Sequence, residues 1–218
     1  MPGAPVISGS VSVVGLFGKL PAAGDFVRRR LSAETVSDLD CWLQMRLAEV
    51  SRAWRDEDAK ALRFLATAGV FGSAALVGVM APSRDRVGRR FPLIVASEVY
   101  PSVIDRYPLA LDWFDLVEAE MAPALAGDLG AEALEKALLR LPPALGANGE
   151  GFRVYLKPCM SCWWRVADLK DAEITPAAPD AATFETLVEP WLTATAAYAA
   201  EASLADDDMA PSAKGAQS

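Results

Sequence analysis

Histidine is absent from this chain of 218 residues. Its absence excludes catalysis by a Ser-His-Asp triad or a Cys-His pair, and it excludes zinc and iron sites with histidine ligands. Cysteine is scarce: the chain has three, an odd number, and the first residues lack the charged start of an export signal. This usage predicts a cytoplasmic protein with reduced thiols rather than a disulfide-linked secreted one.

Long apolar runs and an excess of positive charge are also lacking. No run approaches the ~20 apolar residues that a membrane span needs, so we expect no insertion into a membrane. The chain has 21 Lys and Arg against 29 Asp and Glu, a net charge of −8. The acidic residues are concentrated in the second half, which argues against nucleic-acid binding. The more basic first half permits a local basic surface that meets an acidic or phosphorylated partner.

The hydrophobic fraction of 52% is what the chain has in abundance. It is enough for a sizeable core, and the length suits a single domain. We therefore predict one α/β domain over residues 1–202. Residues 203–218 carry three consecutive aspartates and few apolar side chains, so we expect an acidic, disordered tail.

The order of apolar segments predicts strands mixed with helices. We expect strands at Val11–Phe17, Leu62–Ala68, Ala74–Met80 and Phe91–Val99, and a hairpin of Phe152–Lys157 with Cys162–Ala167. We expect helices after a capping Ser32, at Leu109–Ala126, at Ala131–Leu141 and at Ala181–Ala200. Short turns between successive strands predict an α/β layered fold with a largely antiparallel sheet and helices on either side.

The segment VVGLFGKLPAAGDFVRRR resembles a phosphate-binding loop only superficially. In G-x-x-x-x-G-K-[ST], the first glycine shapes the turn and the hydroxyl binds magnesium. Here Val13 precedes Gly18 by five positions and Leu20 follows Lys19, so both parts are missing. Pro21 also lies where a helix should offer its N–H groups to phosphate. The segment is not a P-loop.

Other chemical motifs are equally incomplete. Cys159 and Cys162 have the C-x-x-C spacing, but only Cys41 could add a third zinc ligand. We expect buried, inert cysteines there. Paired carboxylates such as Asp38 and Asp40 fit a solvated helix surface. We therefore expect no catalytic residues, no metal and no cofactor.

Two further segments are more specific. In PSRDRVGRRFP an aspartate lies among arginines, between two predicted strands. This loop is either simply solvated, or held in one shape by hydrogen bonds from arginine to Asp85 and by a positive φ at Gly88. In SCWWRV the adjacent Trp163 and Trp164 must face opposite sides of a strand. One can join the core, and the other needs a covering helix or a partner.

These segments, in this order and at these intervals, resemble the TagF/ImpM family of accessory proteins of the bacterial type VI secretion system. The resemblance extends from about Val13 to Trp164. It implies a three-layer α/β sandwich and a non-enzymatic, cytoplasmic regulator that represses assembly or firing of the machine after translation. It also implies binding to the machine's scaffold protein with a forkhead-associated domain, Fha.

The resemblance extends to candidate residues for interaction or for locking the loops together. They are Gly18, Lys19, Pro21, Gly24, Asp25, Phe26, Pro82, Ser83, Asp85, Arg86, Gly88, Arg89, Phe91, Pro92, Ser161, Trp163 and Trp164. Pairing of Lys19 or Arg86 with Asp25 or Asp85 would lock the two loops, and direct contact with a partner is equally compatible with the sequence.

Two alternative functions stay open at this point. A phosphate-dependent enzyme or a phosphopeptide-binding protein could use Lys19, Arg86 and Arg89 as a cationic pocket. A structural component of the secretion machine would instead associate with core subunits in a fixed ratio.

Overall fold

The computed structural model of the protein describes residues 14–50, 61–100, 108–145, 155–165, 172–188 and 191. Seven strands form one sheet in the order β2-β1-β5-β4-β3-β6-β7, and every neighbouring pair is antiparallel. The strands are β1 (Val14–Gly18), β2 (Val27–Arg29), β3 (Leu62–Ala66), β4 (Ala75–Ala81), β5 (Leu93–Val99), β6 (Met160–Trp164) and β7 (Glu173–Pro176). The predicted antiparallel α/β fold is confirmed.

Four helices are described. They are α1 (Ala33–Val50), α2 (Leu111–Ala126), α3 (Ala131–Leu138) and α4 (181–188). Helix α1 begins where predicted, because the Ser32 hydroxyl accepts a hydrogen bond from the Thr35 N–H at 3.2 Å and caps the first turn. Helix α2 ends at Gly127, whose N–H bonds back to Ala124. The rest of the predicted helix Ala181–Ala200 and the predicted tail lie outside the described residues, except for Trp191.

Helices cover both faces of the sheet, which gives three layers. On one face α2 and α3 pack through buried residues such as Trp113 and Phe114. On the other face α1 and α4 pack through Trp42, Leu43 and Phe184. Because successive side chains of a strand alternate between faces, the two cores are separate, and the inner strands β1, β3, β4 and β5 are buried on both sides.

The tryptophan pair shows this alternation directly. Trp163 stacks on Phe64 with ring centroids 4.8 Å apart, on the α1 face. Trp164 packs edge-on against Phe114 at 5.1 Å, on the α2 face. Each ring is only 1% exposed. Both tryptophans are therefore core residues that are covered by helices of this chain.

The predicted hairpin around Pro158 is wrong. Residues 155–157 form no strand, and β6 pairs instead with β3 on one side and β7 on the other. Residues 152–154 lie outside the described residues. The outer partner of β6 is the edge strand β7. Sequence patterning does not predict β7, because it is short, mostly exposed and ends in proline.

The prediction of buried cysteines at the C-x-x-C motif holds for one thiol only. Cys162 is buried and Cys159 is exposed. Burial raises the pKa of the Cys162 thiol to about 11, so it is un-ionised near neutral pH.

We expect two thiols, Cys41 and Cys159, to react rapidly with a disulfide reagent in the folded protein at pH 8. Cys162 should react only after denaturation, and a third fast thiol would contradict this packing.

Among the described helices, none combines the length and apolar character that crossing a membrane would need.

Candidate functional site

Asp85 is the centre of the contact between the two loops that the sequence singles out. The loop after β1 contains Lys19 and Gly24, and the loop between β4 and β5 contains Asp85 and Arg89. The Asp85 side chain is fully buried, and its Oδ2 lies 3.1 Å from Lys19 Nζ and 2.7 Å from Arg89 Nε. One carboxylate thus joins cations from both loops.

The second carboxylate oxygen shapes the turn itself. Asp85 Oδ1 accepts hydrogen bonds from the backbone N–H groups of Val87 at 3.1 Å and Arg89 at 2.9 Å. The turn also closes through Gly88, which donates its N–H to the Asp85 carbonyl and has a φ of 85°. These bonds give residues 85–89 one defined conformation.

Charge and hydrogen bonding together set the ionisation of Asp85. Burial alone raises the pKa of a carboxyl group, but the hydrogen bonds from Arg89 and Lys19 and the charge of Lys19 outweigh it. They hold the pKa of Asp85 well below its usual value. The group is therefore a carboxylate at every physiological pH.

Hydrogen bonds to three backbone carbonyls of the first loop complete the contact. The Arg86 N–H donates to the Ala23 carbonyl at 2.8 Å, and Arg89 Nη2 donates to the Gly24 carbonyl at 2.9 Å. The Ser83 hydroxyl donates to the Lys19 carbonyl at 2.7 Å. Of the ion pairs that the sequence allowed between the loops, the structure contains Lys19 with Asp85.

A cluster of three aromatic rings packs against the same loops. Phe26 stacks on Phe17 at 5.8 Å and meets Phe91 edge-on at 4.7 Å. Lys19 Nζ lies 5.1 Å from the centre of the Phe26 ring. Although Phe17 and Phe91 are buried, Phe26 is 43% exposed, so the cluster presents one apolar ring to solvent.

Several side chains of the loops and of β2 point to solvent. We call this set the basic edge, and it consists of Phe26, Arg28, Arg86, Val87 and Arg90. Three guanidiniums of this set make no hydrogen bond or ion pair within the described part of the chain: those of Arg28, Arg86 and Arg90. By contrast, the cations of Lys19 and Arg89 are bound to Asp85. The basic edge is a surface of arginine and apolar side chains on a fixed backbone.

The three candidates on β6 lie elsewhere. Ser161, Trp163 and Trp164 belong to the strand five places from β2 in the sheet order, and all are buried. The Trp163 indole donates to the Ser161 hydroxyl at 2.8 Å, and that hydroxyl donates to the Ala177 carbonyl at 2.7 Å. These residues hold β6 to the segment after β7 and form no common site with the loops.

The remaining candidates fix the backbone. Pro82 and Pro92 are buried at the two ends of the Asp85 loop, and Pro21 follows Lys19 on the first loop. Asp25 is exposed, and its Oδ1 accepts the N–H of the next residue, Phe26, at 2.8 Å rather than a bond from the other loop. Gly24 lies under Arg86, because a Cβ on Gly24 would come 3.1 Å from its Nη2.

One buried charge was not predicted from the sequence, Arg63 on β3. Its Nη2 lies 2.5 Å from Asp115 and its Nε 2.6 Å from Glu118, both on α2. Burial lowers the pKa of Arg63, but the hydrogen bonds that it donates to Glu118 and Asp115, and the charges of these carboxylates, raise the pKa by more. The spacing of Asp115 and Glu118, three residues apart on one helix face, is the sequence signal that could have identified a partner for a charge in an apolar strand.

A cationic phosphate pocket of Lys19, Arg86 and Arg89 does not form in this arrangement. Lys19 is only 6% exposed, and its ammonium already contacts Asp85. Arg89 contacts both Asp85 and the Gly24 carbonyl. A phosphate group at this point would have to displace a buried carboxylate from two cations.

Comparison with known proteins gives one family match and a related solved structure. Residues 15–141 match the model of the TagF N-terminal domain, described as type VI secretion system-associated. The fold is similar to the crystal structure of PA0076 from Pseudomonas aeruginosa PAO1, with a TM-score of 0.61 and 26% identity over 80% of this chain and 93% of that one. No curated protein gives a significant match.

Proposed function

Because the chain belongs to the TagF family of type VI secretion system-associated proteins, we propose that it is a non-enzymatic, cytoplasmic regulator of that system. It represses assembly or firing after translation by binding the Fha scaffold protein. The basic edge is the docking surface, and Asp85 is the residue that keeps this surface in shape.

The observation that carries the proposal is the combination of a fixed turn with exposed side chains. Asp85 binds two cations and two backbone N–H groups, which already fix the loop. The loop therefore loses little conformational entropy when a partner binds. On this turn Arg86 and Val87 are exposed, with Phe26 on the adjoining loop. Arginine and aromatic residues are the types that contribute most to protein interfaces.

A binding role also fits the way in which the loop cations are used. Catalysis of phosphoryl transfer relies on cations that are free to contact the transferring group. Lys19 and Arg89 instead neutralise a carboxylate of the same protein. Their arrangement supports a structural task beneath an interaction surface.

The experiment that tests the proposal is a titration of purified Fha scaffold with the native protein and with an Arg86→Glu variant. We expect the substitution to weaken binding by roughly tenfold or more, since it replaces an interface cation by an anion. Arg86 makes no ion pair within the described part of the chain, so the variant should keep the native Tm.

Arg140→Glu is the matched control, because Arg140 is an exposed arginine after α3, outside both loops. It should bind the scaffold like the native protein. Equal affinity of the native and Arg86→Glu proteins would remove the basic edge from the interface. Phosphorylated and unphosphorylated scaffold are titrated in parallel, and binding of the phosphorylated form alone would favour phosphopeptide recognition over the proposal.

A further inference from the structure

The basic edge belongs to a region of strong local charge. Residues 18–30 and 83–91 together contain eight Lys and Arg but only two carboxylates, Asp25 and Asp85. Asp85 is buried and neutralised by Lys19 and Arg89. Among the remaining arginines, Arg29 has an ion pair with Glu135 at 3.5 Å. The exposed surface is therefore positive, and Arg28, Arg86 and Arg90 lack an anionic partner in the described structure.

The end of the sequence has the opposite composition. From Asp171 to Ala213 it contains no Lys or Arg, and the segment EASLADDDM (201–209) carries Glu201 and three successive aspartates. The apolar Leu204 and Met209 flank those aspartates. This segment is complementary in charge to the basic edge. Both also have apolar side chains beside their charges, Leu204 and Met209 in the segment and Phe26 and Val87 on the basic edge.

The two regions are within reach of one another. Trp191, the last residue that the structure describes, is buried in the same core as Phe17 and Phe91, on the α1 face of the sheet, and Phe26 stacks on Phe17. The whole sheet, from β7 to β2, is six strand spacings wide, or about 29 Å, which bounds the distance across the sheet from Trp191 to β2. The roughly 15 residues from Trp191 to Asp206 can span up to about 50 Å.

We propose that the acidic segment 201–209 docks on the basic edge of its own chain and acts as an internal competitor for that surface. Tethering gives such a segment an effective concentration in the millimolar range, so individually weak ion pairs are enough for substantial occupancy. Docking of this kind is electrostatic and is weakened by salt.

The regulatory consequence rests on the proposed function, while the docking itself does not. If the basic edge binds the scaffold, the acidic segment must be displaced first. Replacement of its three aspartates by asparagine should therefore raise the affinity for the scaffold by about threefold or more. Docking is measured without any scaffold, so that failure of one proposal can be told from failure of the other.

The test is hydrogen exchange on the full chain, native and with Asp206→Asn, Asp207→Asn and Asp208→Asn combined. At low salt we expect amides of residues 84–90 to exchange about threefold more slowly in the native protein than in the variant. Half-molar NaCl should abolish the difference. An Arg86→Gln/Arg90→Gln variant should show the same loss of protection with the aspartates intact.

A matched control removes three exposed carboxylates elsewhere: Asp38→Asn, Asp128→Asn and Glu185→Gln. It should keep the native exchange pattern, which excludes an effect of net charge alone. Identical exchange of residues 84–90 in the native protein and the triple-asparagine variant would overturn the proposal, as would protection that maps to a different surface.

Discussion

Replacement of Gly18 by alanine is expected to lower the free energy of unfolding by about 4 kcal/mol. Gly18 ends β1 and begins the loop that carries Lys19, and its φ is 135°, where side chains are strained. A Cβ at this position would come 2.0 Å from the Pro92 carbonyl oxygen. Since Gly18 pairs with Leu93, the residue after Pro92, β1 and β5 would have to separate at this end.

Gly88→Ala is the matched control for this prediction. Gly88 also has a positive φ, 85°, but nothing lies within 4 Å of a Cβ there. We expect this variant to lose only about 1 kcal/mol, from backbone strain alone. Urea unfolding followed by circular dichroism measures both variants. Equal losses in the free energy of unfolding for the two variants would show that a Cβ at Gly18 does not force β1 and β5 apart at Pro92.

The second large effect is expected for Asp85→Asn. An amide cannot neutralise Lys19 and Arg89, so the variant leaves a buried ammonium without its counter-charge. We expect Tm to fall by roughly 5–10 °C at pH 7. Scaffold binding should weaken too, because an amide NH2 in place of Oδ2 would face Lys19 and Arg89, so that neither cation still holds the turn that presents Arg86. Thermal unfolding and the scaffold titration measure the two consequences.

The stabilisation by Asp85 has a defined dependence on pH. Because the pKa of Asp85 is depressed in the folded protein, the unfolded chain takes up this proton first as the pH falls. The contribution is complete above the unfolded pKa near 4, and it is lost progressively at lower pH. The difference in Tm between the native protein and Asp85→Asn should thus be constant from pH 8 to about 5 and shrink below about 4.

Asp25→Asn is the control for both measurements. Asp25 is an exposed carboxylate on the adjacent loop, and its only described bond is from the N–H of Phe26. We expect its Tm to stay close to native at every pH. A gap between native and Asp85→Asn that is independent of pH down to 2 would mean that Asp85 does not act as a buried carboxylate.

Much of the fold could be predicted from the sequence, because most elements have a clear hydrophobic period or a continuous apolar run. Strands β3, β4 and β5 and helix α1 lie within one or two residues of where the patterning begins them. The pairing of β6 could not be predicted, since its partners β3 and β7 are set by the tertiary structure and not by adjacent residues. The edge strand β2 has three residues, two of them exposed arginines, and carries no strand pattern.

The candidate site was predictable in its parts but not in its connections. The sequence identified both loops, yet it left Asp25 and Asp85 as equivalent partners for Lys19 and Arg86. The structure separates them, because Asp85 is buried between the loops and Asp25 is exposed. Burial of Arg63 was hidden for a related reason: its carboxylate partners are more than 50 residues away on α2.

The most direct test of the central claim, that the basic edge is the docking surface, is a hydrogen-exchange footprint of the protein bound to the full Fha scaffold. We predict that binding slows exchange in residues 23–29 and 84–90 and leaves the exposed face of α2 and α3 unchanged. Protection on α2 and α3 with the two loops unaffected, or the absence of any complex, would contradict the account.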